Sequence, residues 1–213
     1  MDKNIMRFLC AFFKKDIKMR IILASKSPRR REILTTVGLD FEIITSEADE
    51  SSDEQNPEKR VEILAERKGR AVEELLTEHG ESLCDTLIIA SDTLVHMDGR
   101  VLGKPIDRDN AREMLSSLSG REHYVSSGVY LSYEGVGIAS HSTTAVRFAD
   151  MTDTEIEKYL DTDEPYDKAG SYGIQGIASL FIEGIEGDYF NVVGLPIRHL
   201  YKMAEDNFGI KLF

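Results

Sequence analysis

The feature that most constrains this chain is a short apolar run followed at once by the start of a helix. Residues 20–24 are typical of a buried strand, and Ser27 and Pro28 are favoured at a helix N-cap and first helical position. Ile33 and Leu34 supply an inner face, and Gly38 is a typical end for this helix. This strand-and-helix unit favours an α/β fold.

Strands and helices continue to alternate, and an antiparallel ribbon follows. The elements predicted after the first helix are, in chain order, a strand over 41–44, a long helix from Asn56-Pro57, a strand over 86–90 that ends at Ser91-Asp92-Thr93, an Asp98-Gly99 hairpin over 94–103, a helix over 110–118, strands over 124–133 and 136–148, a helix opened by a capping box at Thr152, strands around 180–183 and 190–193, and a helix from 196 to about 207. The pattern predicts a mixed α/β sheet.

Composition excludes some classes of function. The chain has 213 residues, of which 41% are hydrophobic and 30% charged, as in ordinary globular proteins. Its formal net charge of -12 argues against a nucleic-acid partner, because a phosphate backbone would be repelled. A small anion remains compatible, since it responds to a few nearby basic groups.

The first 18 residues are interpreted as an extension ahead of a single domain over 19–213, with Met19 a candidate start. Their apolar run is too short to span a bilayer and has no small-residue cleavage site, so no membrane partner is expected. The two cysteines, Cys10 and Cys84, give no disulfide framework and no zinc-site spacing, which favours a reducing cytosol and predicts a cytoplasmic protein.

The turn between the first strand and its helix is a candidate phosphate site. It carries Ser25 and Ser27, and three consecutive arginines, 29–31, fall in the first helical turn. Helix N-termini attract anions, and arginine matches phosphate oxygens with paired donors. Basic residues at this end oppose the helix dipole, which suggests a use for them. The alternative is a capped helix with a solvated basic first turn.

Asp92 follows an apolar run, where carboxylates often serve as metal ligands or general bases. With Asp98-Gly99 as the turn, Thr93 pairs opposite Lys104, so Asp92 and Lys104 share one end of the ribbon. They would either position a metal or water beside a phosphate or form a surface salt bridge. Lys68 lies on the apolar stripe of its helix, and either reaches solvent or points into a cleft.

Two further segments carry candidate residues. Asp49 and Glu50 belong to an acidic loop that is either solvated or a source of oxygen ligands for a hard cation such as Mg²⁺. The glycine-rich run over 167–176 contains Gln175, whose amide offers the donor and acceptor needed to read a base edge. A generic turn is the alternative for this run.

Five motifs together resemble the Maf family of nucleotide pyrophosphatases. They are Ile-Leu-Ala-Ser-Lys-Ser-Pro-Arg-Arg at 22–30, Ser-Asp-Thr at 91–93, Leu-Gly-Lys-Pro at 102–105, Asp-Lys-Ala-Gly-Ser-Tyr-Gly-Ile-Gln-Gly at 167–176 and Gly-Asp-Tyr-Phe-Asn-Val-Val-Gly-Leu-Pro at 187–196. Their order and spacing match from about Met19 to the C-terminus. Residues 1–18 have no counterpart, and Lys26 stands where small residues are common in the family.

The resemblance implies a Maf/ITPase-like fold, with a mixed elongated β-sheet flanked by helices and two lobes around a central cleft. It implies cleavage of nucleoside triphosphates between the α- and β-phosphates with a divalent cation, Mg²⁺ or Mn²⁺. Asp92 corresponds to the proton acceptor, with Glu50 and Asp92 at the metal. The positions that match substrate contacts are Ser25, Arg29, Arg30, Lys68 and Lys104 for phosphate and Arg29, Thr93 and Gln175 for substrate selection.

Within the family, the run over 167–176 resembles the branch that acts on dTTP and UTP, a role in clearing nucleotide pools that is linked to cell-division arrest. The alternatives are a 7-methyl-GTP pyrophosphatase and a non-catalytic nucleotide sensor that regulates septum formation. A homodimer would be an ordinary assembly for such a chain.

Overall fold

The computed structural model describes residues 19–213, so the predicted extension over 1–18 lies outside the described residues. The strands are β1 (Arg20–Leu23), β2 (Glu42–Ile43), β3 (Thr86–Met97), β4 (Arg100–Leu102), β5 (Glu122–Tyr133), β6 (Val136–Phe148) and β7 (Ile182–Glu186). The α-helices are α1 (Pro28–Thr36), α2 (Pro57–Glu78), α3 (Arg108–Leu118), α4 (Asp153–Leu160), α5 (Tyr189–Val193) and α6 (Ile197–Phe208). Short 3₁₀ turns occupy Glu164–Asp167, Ala169–Ser171 and Ile177–Phe181.

The strands form one mixed sheet of seven strands in the order β2-β1-β3-β5-β6-β7, with β4 paired to β3. The β2-β1-β3 part is parallel, and the remaining pairs are antiparallel. Parallel neighbours are joined through helices and antiparallel ones through tight turns. The predicted mixed α/β sheet is therefore confirmed.

Two apolar clusters lie on the same face of the sheet, because side chains alternate along β3. Leu87 and Ile89 belong to the first cluster, under α1 and α6, and Val95 and Met97 belong to the second, under α3 and α4. Between them, Ser91 and Thr93 present hydroxyl groups instead of apolar side chains. This polar interval separates two lobes and leaves a cleft between them.

Helix α2 covers the opposite face of the sheet and lies unusually close to it. Its packing face includes Val61 and Val72, and Gly128 on β5 lies beneath it. A Cβ atom added to Gly128 would lie 2.1 Å from the carbonyl oxygen of Val61, so only glycine permits this approach. Because Gly128 pairs with Asp92 across the β3–β5 ladder, the close contact brings α2 over Asp92.

Three sequence predictions about elements are wrong. The strand predicted over 86–90 continues through Asp92 to Met97, because β5 pairs with it along nearly its whole length. Residues 190–193 lie in α5, which Asp188 caps by accepting from the Phe190 amide and which ends at Gly194. A short apolar run is compatible with a strand or a helix, and in this segment the N-cap at Asp188 favours the helix. The strand expected around 180–183 begins only at Ile182 and extends to Glu186.

No helix within residues 19–213 is both long enough and apolar enough to cross a membrane. Cys84, just before β3, is disulfide-bonded. The prediction that the cysteines form no disulfide is therefore wrong for Cys84.

Candidate active site

A cavity of about 1240 Å³ opens between the two lobes. All nine side chains predicted from the sequence line it, namely Ser25, Arg29, Arg30, Glu50, Lys68, Asp92, Thr93, Lys104 and Gln175. They come from six separate stretches of the chain, so the fold brings together residues that lie far apart in the sequence.

The turn after β1 forms one wall and is held by Arg30. Ser25 is buried, and its Oγ accepts from the amide of Ser27 at 3.2 Å and from Nη1 of Arg30 at 3.1 Å. Arg30 also donates from Nη2 to Oγ1 of Thr93 at 3.2 Å and from Nε to the carbonyl of Gly194 at 2.9 Å. Ser27 occupies the predicted N-cap position of α1, although its side chain makes no capping bond.

Arg30 has no carboxylate partner among residues 19–213. Its bonds to neutral oxygens fix the guanidinium in place without neutralising it, and burial lowers its pKa while the charge of Asp92 acts in the opposite direction. A fixed, desolvated cation of this kind suits an anionic ligand. The geometry therefore supports the first of the two sequence interpretations, an anion site, over a solvated helix turn.

Arg29 reaches from α1 towards the other lobe. Its Nη1 lies 3.9 Å from Oδ2 of Asp167, where the 3₁₀ turn Glu164–Asp167 ends and the glycine-rich run begins. Gln175 lines the same side of the cavity, together with Tyr172 and Gly173. All three positions to which the resemblance assigns substrate selection, Arg29, Thr93 and Gln175, therefore line the cavity.

Lys68 joins two carboxylates at the centre of the site. Its Nζ lies 2.6 Å from Oδ1 of Asp92 and 2.8 Å from Oε1 of Glu50. The side chains of Lys68 and Asp92 are 18% and 14% exposed, so Lys68 points into the cleft and does not reach for bulk solvent. The hydrogen bond from Lys68 holds the pKa of Glu50 below its usual value, and the charges of Lys104 and Arg30 contribute.

Thr93 and Lys104 lie at the base of the β3–β4 hairpin. The ladder ends at the Val95–Leu102 pair, so the predicted pairing of Thr93 with Lys104 is not formed as a strand contact. Thr93 instead lies 2.9 Å from Oγ of Ser127 through its hydroxyl group. Lys104 is exposed at the cavity and forms no ion pair within the described chain, which excludes the alternative of an Asp92–Lys104 salt bridge.

The cavity is cationic although the protein is acidic. Seven lysine and arginine side chains line it against five aspartate and glutamate side chains, whereas the whole chain carries a net charge of -12. A concave surface with low-dielectric walls concentrates such a local field. The cavity can therefore attract a multiply charged anion that the rest of the surface would repel.

Gly194 and Arg60 are cavity residues that were not among the candidates predicted from the sequence. The backbone carbonyl of Gly194 accepts hydrogen bonds from Arg30 and, at 3.0 Å, from Oγ of Ser91. No local sequence pattern predicts these two backbone contacts. Arg60 lies on α2, at the spacing of four residues that links it through Leu64 to Lys68. That spacing was available in the sequence and could have identified Arg60.

The fold and the cavity together define an α/β protein with a mixed sheet and a cation-rich interlobe cleft that contains a lysine-bound aspartate. The family model described as Maf-like protein matches residues 20–207. The chain belongs to the Maf family.

Curated relatives cover most of the chain. The dTTP/UTP pyrophosphatase of Thermoanaerobacter sp. (strain X514) is 44% identical over 196 residues, which are 91% of this chain and 100% of the relative. The protein of the same name from Thermococcus gammatolerans is 46% identical over 190 residues, covering 89% and 98% of the two chains. That from Clostridium novyi (strain NT) is 45% identical over 196 residues, covering 91% and 100%.

Proposed function

We propose that this protein is a nucleoside triphosphate pyrophosphatase that hydrolyses dTTP and UTP to the monophosphate and pyrophosphate. The observation that carries the proposal is that one cavity is lined both by Asp92, which Lys68 contacts, and by Ser25 and Arg30. The names of the relatives, dTTP/UTP pyrophosphatase, support the choice of substrate.

In the proposed reaction Asp92 accepts a proton from water, and the water oxygen attacks the α-phosphorus. The bond from that phosphorus to the oxygen bridging the α- and β-phosphates breaks, and pyrophosphate leaves. The 2.6 Å contact with Lys68 orients the carboxylate of Asp92. Arg29, Arg30 and Lys104 offset the charge on the phosphate oxygens, and Thr93 and Gln175 contribute to the choice of base.

The carboxylates suit a divalent cation. No group of three or more histidine, cysteine, aspartate and glutamate side chains is arranged for a metal within residues 19–213. Mg²⁺ often takes only one or two carboxylates from the protein and completes its shell with phosphate oxygens and water. Glu50 and Asp92, which share one ammonium group, fit that donor set and would hold Mg²⁺ or Mn²⁺. The bound cation would supply positive charge to the phosphate oxygens.

The remaining assignments follow from this activity. The pyrophosphatase domain would span residues 19–213, with 1–18 as an extension, and the enzyme would act in the cytoplasm, where nucleoside triphosphates are used. We also propose that the enzyme is a homodimer and that it binds no nucleic acid. The net charge of -12 supports the absence of a nucleic-acid partner.

A substrate panel tests the proposal. The protein is incubated with Mg²⁺ and dTTP, UTP, the other common triphosphates or 7-methyl-GTP, and pyrophosphate and orthophosphate are measured separately. We expect pyrophosphate from dTTP and UTP without orthophosphate. Turnover of 7-methyl-GTP alone would assign the protein to the sister branch, and tight nucleotide binding without turnover would make it a sensor.

A further inference from the structure

Arg60 is a cation in the cavity that the proposed reaction does not use. It lies in the first turn of α2, and Leu64 and Lys68 follow on the same side of the helix at intervals of four residues. It is partly buried and lines the cavity. Its Nε is buried and has no hydrogen-bond partner.

The other arginines of α2 show what Arg60 lacks. Nε of Arg70 lies 2.7 Å from Glu66, and Arg67 donates to the carbonyl of Ser51 and lies 3.8 Å from Asp49. No carboxylate of the described chain lies within ion-pair distance of Arg60. Desolvating a cation without a counter-charge opposes folding, so packing alone does not account for this side chain. An anionic ligand group would supply both the missing charge and the missing acceptor.

The position of Arg60 indicates which part of a nucleotide would reach it. Lys68 contacts Asp92, and in the proposed reaction Asp92 activates the water that attacks the α-phosphate. Arg60 lies two helical turns towards the N-terminus, about 12 Å along the axis, with the apolar Leu64 between them. A pyrimidine base is neutral, so the charged groups available away from the α-phosphate are the two terminal phosphates.

We propose that Arg60 binds the β- and γ-phosphates and so holds the departing pyrophosphate. The inference rests on the proposed function and adds a residue to it. Arg60 acts on the leaving group, and Arg30, Lys68 and Ser25 act near the attacked phosphorus. The five N–H donors of a guanidinium suit paired contacts with two phosphate oxygens.

Product inhibition separates the two ends of the substrate. Pyrophosphate and thymidine monophosphate are each used as inhibitors of dTTP hydrolysis by the parent, Arg60→Gln and Arg60→Lys, with Arg70→Gln as the matched control on the same helix outside the cavity. For Arg60→Gln we expect the inhibition constant of pyrophosphate to rise about ten- to hundred-fold, the range for losing hydrogen bonds to a charged group. Inhibition by thymidine monophosphate should stay at the parental level.

The conservative variant and the control sharpen the result. Arg60→Lys should recover part of the pyrophosphate affinity, and Arg70→Gln should match the parent in both inhibition constants. The thermal midpoint of Arg60→Gln should equal or exceed that of the parent, because the lost charge has no protein partner. Unchanged pyrophosphate inhibition in Arg60→Gln, or equal weakening of both inhibitors, would overturn the proposal. A lowered midpoint without loss of pyrophosphate affinity would assign Arg60 to the fold instead.

Failure of the proposed function gives a different signature. If the parent releases no pyrophosphate from any triphosphate, the proposed reaction is wrong, and pyrophosphate binding by calorimetry then tests Arg60 directly. Binding to the parent that weakens at least ten-fold in Arg60→Gln would support the anion site without the reaction. Binding that is absent in the parent, or equal in parent and variant, would refute both.

Discussion

His123 is a buried imidazole whose protonation should oppose folding. It lies on β5 with no solvent exposure, and its Nε2 lies 2.7 Å from the hydroxyl oxygen of Tyr172. Its Nδ1 has no partner, and the rings of Phe148 and Tyr172 meet it edge-on at 5.1 and 5.2 Å between centroids. Burial, with a smaller contribution from the charge of His96, lowers the pKa of His123 from 6.5 to about 4.

The sign of the effect follows from where the proton binds. Between pH 6.5 and about 4 the unfolded chain protonates His123 and the folded protein does not, so stability falls as the pH falls through this window. At about pH 5 the loss is roughly 1.5 pH units at 1.36 kcal/mol each, or about 2 kcal/mol. Below the folded pKa it levels off at about 3 kcal/mol.

The test compares the parent with His123→Gln, in which a neutral amide replaces the imidazole beside Tyr172. Urea unfolding is followed at about pH 8 and about pH 5, and the parent should lose about 2 kcal/mol more than His123→Gln over that interval. Carboxylates titrate in both proteins, so their contribution cancels in the difference. His79→Gln, at the exposed end of α2, should behave like the parent. An equal decline in His123→Gln and the parent would refute the reasoning.

Three further predictions concern the cleft. Asp92→Asn should fold normally and lose about two to four orders of magnitude in turnover, as expected for a lost general base, and unchanged turnover would remove Asp92 from the mechanism. Arg29→Ala should raise KM and reduce discrimination between bases on a triphosphate panel with little change in stability, since its contact with Asp167 is 3.9 Å long; parental base preference would contradict its role. Gly128→Ala should lower the free energy of unfolding by about 1 to 3 kcal/mol, because the new methyl group displaces α2. Turnover of Gly128→Ala should fall as well, since Lys68 moves from its partner, and a urea midpoint equal to that of the parent would contradict the close approach.

Local signals in the sequence predicted most of the scaffold because they depend on neighbours a few residues away. The Thr152 capping box is formed, with Glu155 as its partner, and the Asp98-Gly99 turn joins β3 to β4. The predicted end of β3 was wrong because the length of this strand depends on its pairing with β5, which lies beyond β4 and α3 in the chain. The strand predicted over 190–193 was wrong because the helix cap at Asp188 outweighs the β-propensity of the valines in this segment.

Only the family resemblance predicted that the residues of the candidate site lie together. Contacts between residues that are far apart in the sequence produce no local sequence pattern. Spacing alone left Lys68 undecided between solvent and cleft, and left Asp92 undecided between a site and a salt bridge with Lys104. The contact of Lys68 with Asp92 depends on Gly128 in β5, because the missing side chain allows α2 to pack closely against the sheet. No reading of α2 or β3 by itself contains that information.

The two parts of the sheet explain why Asp92 lies inside a strand and yet occupies the edge where α/β enzymes bind ligands. In the parallel part, β1 pairs with β3 only as far as Leu23 opposite Ile89, and the chain then turns at Ser25 into α1. Relative to β1, Asp92 therefore stands three residues beyond the end of the parallel sheet, where the carboxyl ends of strands face a cleft. The antiparallel partner β5 pairs with β3 past that edge and holds Asp92 opposite Gly128 in a regular ladder. A proton acceptor on a paired strand has less freedom than one on a loop, so the sheet fixes the position of Asp92 relative to the turn at Ser25, and α2 then brings Lys68 to it.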